Sequence, residues 1–502
     1  MGEIFLTTLQ VDLKPRVKQF LQEEKHLYIN GEYVPSVSGK TFTVFNPATE
    51  EVLAQVSEAQ AEDINKAVQA ARRAFDEGEW SKISATERSR LIYKFADLLE
   101  EHREELAQLE SLDNGKPFKV ALTDDIDGTI EQFRYYAGWA TKLLGKTTPV
   151  SPDYVTYTVH EPVGVVGQII PWNFPLLMAA WKLGAALAVG CTVVIKPAPE
   201  TPLSLLYAAK LFKEAGFPDG VVNIVPGDGV VAGNAITTHK DVDKIAFTGS
   251  TAVGKEVMRK AADQIKDVTL ELGGKSPCII LEDADLEDAI EGAFNGTMYN
   301  HGQNCSATTR IFVHRKHYNT VVEALVERVN KLKLGPGTNP DTDMGPLVSS
   351  KQQQRVLNYI EQGKKEGARL VAGGSKGLEK GYFVEPTIFA DVEDNMVIAR
   401  EEIFGPVMSI FVFDTVEEVI KRANDSEYGL AASVWTENIK AGHYIAKKLQ
   451  AGSVWINDFG LEWETMPFGG YKKSGIGREM GGEYGLANYT EVKSVFVNIK
   501  RN

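Results

Sequence analysis

Phe247-Thr248-Gly249-Ser250-Thr251-Ala252-Val253-Gly254-Lys255-Glu256 is the stretch whose reading decides the fold. Asp243–Thr248 is a short apolar run of β type, Gly249 and Ser250 make a turn, and Val253–Ile265 reads as a helix. A strand, a glycine turn and a helix N-terminus together form an anion site from backbone N–H groups and the helix dipole. The spelling nearly matches the phosphate loop of nucleotide hydrolases. Glu256, however, stands where that loop needs Ser or Thr to hold magnesium, so an ATPase reading fails. The spacing also differs from GxGxxG, and by itself the stretch fits either a dinucleotide turn or an ordinary strand–helix turn.

Working outward, three continuously apolar runs precede it, each bounded by Gly or Pro: Val163–Ile170, Thr192–Ile195 and Val221–Val225, with helices between them. Val268–Leu272 follows as a further strand, and a second α/β set begins near Cys278–Leu281 and runs to about Phe468. This alternation predicts α/β architecture with parallel sheets. Ala61–Gly78 and Thr86–Asp113 carry helical periodicity, the second through Leu91, Phe95, Leu98, Leu99 and Leu106. Thr156–Glu161 and Ser494–Asn498 stand apart as β-type runs suited to pairing with another subunit. Internal repeats and low-complexity stretches are absent.

At 502 residues the chain exceeds what one hydrophobic core supports, so two or three domains are expected. The net charge of −14 disfavours a phosphate backbone as partner, so nucleic acid is not expected. The longest apolar segment, Met178 to Ile195, is interrupted by Lys182 and reads as a buried helix followed by a buried strand, so no membrane association is expected. Glu3, Asp12, Glu23 and Glu24 suit neither a secretory signal nor a mitochondrial presequence. Three cysteines (Cys191, Cys278 and Cys305) with no CxxC pair point to a reducing compartment, and the cytoplasm is the expected location. The sequons at Asn295, Asn304 and Asn488 are then chance matches.

Three further segments carry chemistry. In Val268-Thr269-Leu270-Glu271-Leu272-Gly273-Gly274-Lys275 a carboxylate sits inside an apolar strand, where burial raises its pKa; it is either a satisfied structural group or a tuned acid/base. In Tyr299-Asn300-His301-Gly302-Gln303-Asn304-Cys305-Ser306-Ala307 a helix ends near His301 and Gly302 lets the chain turn. Cys305 has small or polar neighbours, as an accessible thiolate needs, whereas Cys191 and Cys278 lie beside apolar runs and read as small buried hydrophobes. In Ile170-Pro171-Trp172-Asn173-Phe174-Pro175 two prolines stiffen the turn around Asn173, whose amide is either a helix cap or a donor to an oxyanion. No metal-ligand cluster is visible among the eight histidines.

In this order the four segments resemble the aldehyde dehydrogenase superfamily, as do Glu401-Glu402-Ile403-Phe404-Gly405-Pro406 and Pro467-Phe468-Gly469-Gly470-Tyr471-Lys472-Lys473-Ser474-Gly475. The match runs from about Leu27 to the end and is similar to the non-acylating class 1/2 and betaine-aldehyde branch. The resemblance implies a Rossmann-type nucleotide-binding domain (1–142 and 163–274), an α/β catalytic domain (275–475), and a small β oligomerisation element (143–162 and 486–502). It further implies a homodimer or homotetramer. Carried over residue by residue, Cys305 is the nucleophile, Asn173 with the Cys305 N–H the oxyanion hole, and Glu271 the base. Lys182 and Glu479 resemble the inner proton-relay partners. For the NAD cofactor the resemblance points to Lys196 at the ribose, Ser250 at the pyrophosphate, and Glu402 and Phe404 at the nicotinamide end. It adds Ile169, Trp172, Gly229, Gly233, Phe247, Gly249, Val253 and Leu272 around the dinucleotide. Phe174, Met178, Trp181, Tyr299, Gly460, Glu462 and Phe468 are expected along the aldehyde channel, with Gly460 widening its mouth; Glu462 is either turned out to solvent or, beside Trp463, suited to a cationic amino-aldehyde.

There is one departure. Where many NAD-preferring relatives place a ribose-binding glutamate, Lys196-Pro197-Ala198-Pro199-Glu200 has Pro199, so NADP is expected to be accepted as well. The expected function is oxidation of a broad range of aliphatic, aromatic or bulky aldehydes to carboxylic acids, with betaine or amino-aldehydes as the alternative. A CoA-acylating relative commonly lacks the base, so Glu271 counts against that reading. A non-catalytic protein keeping the fold is the distant alternative.

Overall fold

The computed structural model describes residues 13–501; Glu3, Asp12 and the outermost residues of the expected spans 1–142 and 486–502 lie outside the described residues. The apolar runs become short, wholly buried strands: β1 (Val165–Ile169), β2 (Thr192–Lys196), β3 (Val222–Ile224) and β4 (Lys244–Thr248), followed by β5 (Asp267–Glu271), whose last three residues are buried. Strands covered on both faces lose the in–out alternation of a half-exposed sheet, which is why these read as continuous apolar runs. All five are parallel, in the order β3-β2-β1-β4-β5. The chain therefore leaves β1 towards one edge and returns to begin β4 on its other side. This reversal opens a crevice at the carboxyl ends of β1 and β4, the position where doubly wound sheets bind ligands. An antiparallel hairpin, Leu27–Ile29 with Glu32–Val34, extends the sheet beyond β3. At the other edge Gly475–Ile476 pairs with Leu270 and Glu271.

A second sheet holds β6 (Pro277–Ile280), β7 (Arg310–His314), β8 (Arg369–Ala372), β9 (Thr387–Ala390), β10 (Val407–Phe413), β11 (Ala431–Trp435) and β12 (Ser453–Ile456), ordered β8-β9-β10-β7-β6-β11-β12. Only β8 is antiparallel. The helix Pro175–Val189 begins on a proline, is buried on nearly every side and ends on left-handed Gly190 (φ 105°) before β2. The Met178–Ile195 segment is thus a core helix and strand, with Lys182 buried within the helix. Among the described residues no helix is long and apolar enough to cross a membrane.

Two local expectations need correction. Thr86–Asp113 is two helices, Ala85–Glu101 and Arg103–Asp113, broken at His102 (ψ 14°), whose ring nitrogen meets the Tyr207 hydroxyl at 2.9 Å. The break reorients the second helix so that every residue from Glu105 to Asp113 is buried, which one straight amphipathic helix would not allow. The helix after Gly249 spans Thr251–Ala262; Ile265 lies beyond it, left-handed and exposed. The two lone β runs, now Tyr154–Pro162 and Thr490–Asn498, pair antiparallel with each other from Thr490↔Pro162 to Asn498↔Tyr154.

Candidate active site

The turn after β1 and the loop before β7 meet. Asn173 is buried, and its Nδ2 donates to Gln303 O at 3.0 Å, two residues before Cys305. The helix Leu286–Met298 ends earlier than His301; Asn300 (φ 48°, ψ 37°) and His301 (φ 59°, ψ 28°) are left-handed, as is Gly302, and this carries the chain sharply into the Cys305 loop. A β-carbon on Gly302 would overlap the Gly405 backbone. Likewise one on Gly274 would strike the Cys305 carbonyl, so LGGK is glycine-rich because the Cys305 loop packs directly against it.

Cys191 and Cys278 are buried, and Cys305 is half-buried. Burial, then the carboxylates of Glu462, Glu271 and Glu402, push the Cys305 thiol up, while the Ser306 N–H opposes this. Cys305 opens on a cavity of about 620 Å³ walled by Phe174, Met178, Trp181, Tyr299, Phe459 and Trp463 among others. Phe174 and Tyr299 stack across it at 6.0 Å. Gly460 lies on this wall at φ 86° with open space where a side chain would go. Phe468 is not part of the wall: it is buried behind Trp181, edge-on at 5.1 Å. Glu462 is exposed, as expected, and also faces the cavity. Ser306 Oγ donates to its Oε1 at 3.3 Å, and desolvation there pushes its carboxyl up to about 7.

Glu271 ends β5 behind Cys305, outside the cavity wall. It is buried, and neither carboxylate oxygen makes a hydrogen bond within the protein. Burial holds it well above the usual carboxylate range; Glu479 raises it further while Lys182 and Arg478 oppose. Gly469 leaves the room it needs, since a β-carbon there would stand 2.8 Å from Glu271 Oε1. Lys182 and Glu479 form a buried ion pair, and Lys182 Nζ also donates to Thr248 Oγ1 at 2.7 Å. The PFGGYKKSG segment is fastened here: Leu272 N donates to Ser474 O at 2.9 Å and Ser474 Oγ to Gly273 O at 2.7 Å.

On the crevice side, Lys196 at the end of β2 is buried and donates to Pro197 O (2.9 Å) and Gly227 O (3.1 Å). Burial lowers it to about 8, opposed by Glu200 and Asp228. Gly233 faces Ile169 and Lys196, from which a β-carbon would stand 3.8 and 3.9 Å away in ordinary contact, and Gly229 faces open space. Ser250 caps the Thr251–Ala262 helix through Val253 N, and no acidic residue stands in its first turn. Gly249 is needed because a β-carbon would meet the Phe247 ring at 2.7 Å, and Leu272 packs on Gly254. Glu402 Oε1 accepts from Gly274 N at 2.8 Å; Phe404 is left-handed (φ 61°) and edge-on to Trp172 at 5.3 Å. The candidate residues thus gather in two adjoining places, with Cys305, Gly274 and Glu402 at the seam. Among the described residues no group of three or more His, Cys, Asp or Glu is placed to hold a metal ion.

Sequence reasoning passed over a buried support beneath Asn173. Lys116 Nζ donates to Asn173 O at 3.0 Å and is ion-paired with Asp125; Asn114 Nδ2 donates to Trp172 O at 2.8 Å; Glu110 Oε1 accepts from Leu176 N at 2.8 Å. Asp125 sits in a π-helical turn, Ala121–Ile126, whose Thr123 and Asp124 reach the cavity. The one available signal was Asn300 and His301 before Gly302, since Asn and His tolerate left-handed backbone better than most residues.

A doubly wound nucleotide-type sheet whose crevice adjoins a thiol on the loop into a second sheet defines a class: dinucleotide-dependent oxidoreductases. The family model for the aldehyde dehydrogenase family matches residues 33–495, and the chain belongs to that family. It is 54% identical to human aldehyde dehydrogenase 1A1 over 95% of this chain and 95% of that protein. The NAD+ complex structure of an aldehyde dehydrogenase from Bacillus cereus superposes with a TM-score of 0.97 at 68% identity, covering 98% of this chain and 100% of that one. Betaine aldehyde dehydrogenase from Staphylococcus aureus in complex with NAD+ gives 0.94 at 42% identity, covering 97% of each chain.

Proposed function

We propose that this aldehyde dehydrogenase oxidises a broad range of aliphatic and aromatic aldehydes to carboxylic acids with NAD, through a covalent adduct on Cys305. One observation carries the reading: of the three cysteines only Cys305 opens on the cavity, while Cys191 and Cys278 are buried. Cys305 Sγ adds to the aldehyde carbonyl, and the Asn173 amide with the Cys305 N–H donates to the oxyanion that forms. NAD, when bound, would supply the hydride acceptor that thioester formation needs. Glu271, held basic by burial, takes the proton of the water that hydrolyses the thioester, with Lys182 and Glu479 next in line for it.

The crevice fits NAD. The helix N-terminus at Ser250, with no acidic residue in its first turn, suits the pyrophosphate, and buried Lys196 suits the ribose. Glu402 and Phe404 would hold the nicotinamide end, and the similar Bacillus and Staphylococcus proteins are NAD+ complexes. Pro199 supports use of NADP as well. We further assign residues 1–142 and 163–274 to nucleotide binding, 275–475 to catalysis, and 143–162 with 486–502 to a homodimer or homotetramer contact. The exposed Tyr157, Val492 and Phe496 on the two paired strands support that contact. Three free cysteines support a cytoplasmic setting.

A second reading, a cationic amino-aldehyde as substrate, has its own observation: Asp124, Asp343, Glu462 and Glu464 line the cavity, and among the described residues no lysine or arginine does. A panel of aldehydes varied in length, ring content and charge, run with NAD and NADP, tests the function. Oxidation of none of them would refute it.

A further inference from the structure

The Asn300 carboxamide stands between the turn that carries Asn173 and the loop that carries Cys305. Its Nδ2 donates to Asn173 O at 2.9 Å and to Gln303 O at 3.1 Å. Asn173 Nδ2 donates back to Gln303 O at 3.0 Å, which closes a ring across the two segments. Asn173 O takes its second hydrogen bond from Lys116 Nζ at 3.0 Å, and Lys116 is ion-paired with Asp125. Every side chain in this chain of contacts is buried: Asn173 and Asn300 are 4% exposed, Lys116 and Asp125 0%.

We infer that Asn300, backed by the Lys116–Asp125 pair, is a positioning residue that fixes the Asn173 amide relative to the Cys305 loop. An amide nitrogen has two hydrogens. On Asn173 one is committed to Gln303 O, so the other has a single direction left. Gln303 O in turn is held by Asn300, and the Asn173 peptide is pinned from the far side by a buried cation whose own place is set by Asp125. Charge-assisted and networked hydrogen bonds are stronger in a dry interior than single neutral ones. The left-handed conformation of Asn300 and His301 is costly for residues with a β-carbon, and persists where the surroundings impose it. Here the two Asn300 hydrogen bonds impose it, and His301 Nε2 adds a third by accepting from Gly345 N at 3.0 Å. An arrangement that only glued two segments together would need neither this strain nor a donor shared between the Asn173 carbonyl and a carbonyl of the Cys305 loop.

The inference rests on Cys305 as nucleophile and Asn173 as oxyanion donor, so its test separates reactions that form an oxyanion from those that do not. Iodoacetamide alkylates a thiolate by displacing iodide and forms no oxyanion. Acylation by 4-nitrophenyl acetate passes through a tetrahedral oxyanion and needs no cofactor. Asn300→Gly tolerates the left-handed backbone and removes both donors. It is expected to alkylate at Cys305 close to the wild-type rate, while its 4-nitrophenolate burst slows by roughly 10²–10³-fold, as when an oxyanion donor is lost. Both rates falling together, or neither falling, would overturn the inference. Lys116→Met with Asp125→Leu removes the charged pair without stranding either charge, and the same split in weaker form is expected, with parallel loss again counting against it. If peptide mapping of the wild type finds the acetyl group elsewhere than Cys305, the nucleophile assignment itself fails, a result separable from the outcome for Asn300.

Discussion

Ser306 Oγ donates to Glu462 Oε1 at 3.3 Å, which ties the residue after the thiol to the far wall of the cavity. Glu462 is thereby held facing Cys305, and after burial it is the largest cause of the raised thiol pKa. Two like charges cannot easily coexist there, so the Glu462 carboxylate works against formation of the thiolate. Glu462→Gln is therefore expected to move the midpoint of Cys305 alkylation by iodoacetamide to lower pH. Because Glu462 itself ionises at about 7, the wild-type and variant profiles are expected to converge below that pH and separate above it. An unshifted or upward-shifted midpoint would show that the carboxylate does not act on the thiol.

Cys305→Ala is expected to abolish aldehyde oxidation while leaving cofactor affinity, read by fluorescence titration, unchanged. Cys191→Ala and Cys278→Ala remove buried sulfurs and are expected to cost stability but not the chemistry, since a cavity is left in the core. A folded Cys191→Ala protein with no activity would count against the assignment.

Glu271→Gln keeps the shape of the side chain and removes the base. Hydrolysis of the thioester is expected to slow by about 10²–10⁴-fold. An acylated protein should then accumulate on mixing with aldehyde and NAD, visible as added mass in the intact spectrum and mapped to Cys305. The raised pKa of Glu271 also makes wild-type turnover climb with pH, because the carboxyl must lose its proton to serve as base, and burial delays that loss. The climb should be blunted in Glu271→Gln; steady-state turnover equal to wild type would remove Glu271 from this role.

Much of this site was legible because its motifs are local. FTGS is a strand end, a turn and a cap in four residues, and the structure shows why glycines there and in LGGK are bare, from the Phe247 ring beside Gly249 to the Cys305 carbonyl beside Gly274. The strands were legible because continuous burial writes itself as continuous apolarity. What could not be read were contacts set by tertiary packing. Lys116 and Asp125 belong to a loop and a π-helical turn with no apolar period, and only the folded chain brings Lys116 to Asn173, 57 residues away. The break at His102 was hidden because both halves of Thr86–Asp113 keep helical spacing, and its cause lies on Tyr207. The Ser306–Glu462 contact was hidden for the same reason: nothing near Glu462 in sequence announces Ser306 as its partner.

NADP is expected to support turnover beside NAD, since Pro199 has no carboxylate to bind the ribose or to repel a 2′-phosphate. Glu200 complicates this, for with Asp228 it is one of the two carboxylates whose charge bears on Lys196. Pro199→Glu should sharpen preference for NAD by on the order of 1–3 kcal/mol, the worth of a hydrogen bond to a charged group. Glu200→Gln should relax it. Rejection of NADP by the wild type that Glu200→Gln relieves would transfer the role from Pro199 to Glu200.

The substrate is best approached with a pair of aldehydes that differ in charge and little else. 3,3-Dimethylbutanal and trimethylammonioacetaldehyde have the same shape, one neutral and one cationic. The aromatic wall of the cavity suits both, so both are expected to be oxidised. The cation gains in addition from Glu462 and from the faces of Trp181 and Trp463, a preference of about 0.5–2 kcal/mol in kcat/KM if cation–π contact is made. Glu462→Gln should erase most of that preference and leave the neutral aldehyde nearly unaffected. Equal kcat/KM for the two aldehydes in the wild type would remove the cationic reading and leave the broad, neutral one. Entrance width is a separate question, and Gly460 is a poor place to ask it, because at φ 86° any larger side chain strains the backbone whether or not it blocks the mouth. Leu461 lines the same wall without that constraint. Leu461→Trp is expected to raise KM for bulky aldehydes far more than for acetaldehyde, and a uniform rise would show that this wall does not form the entrance.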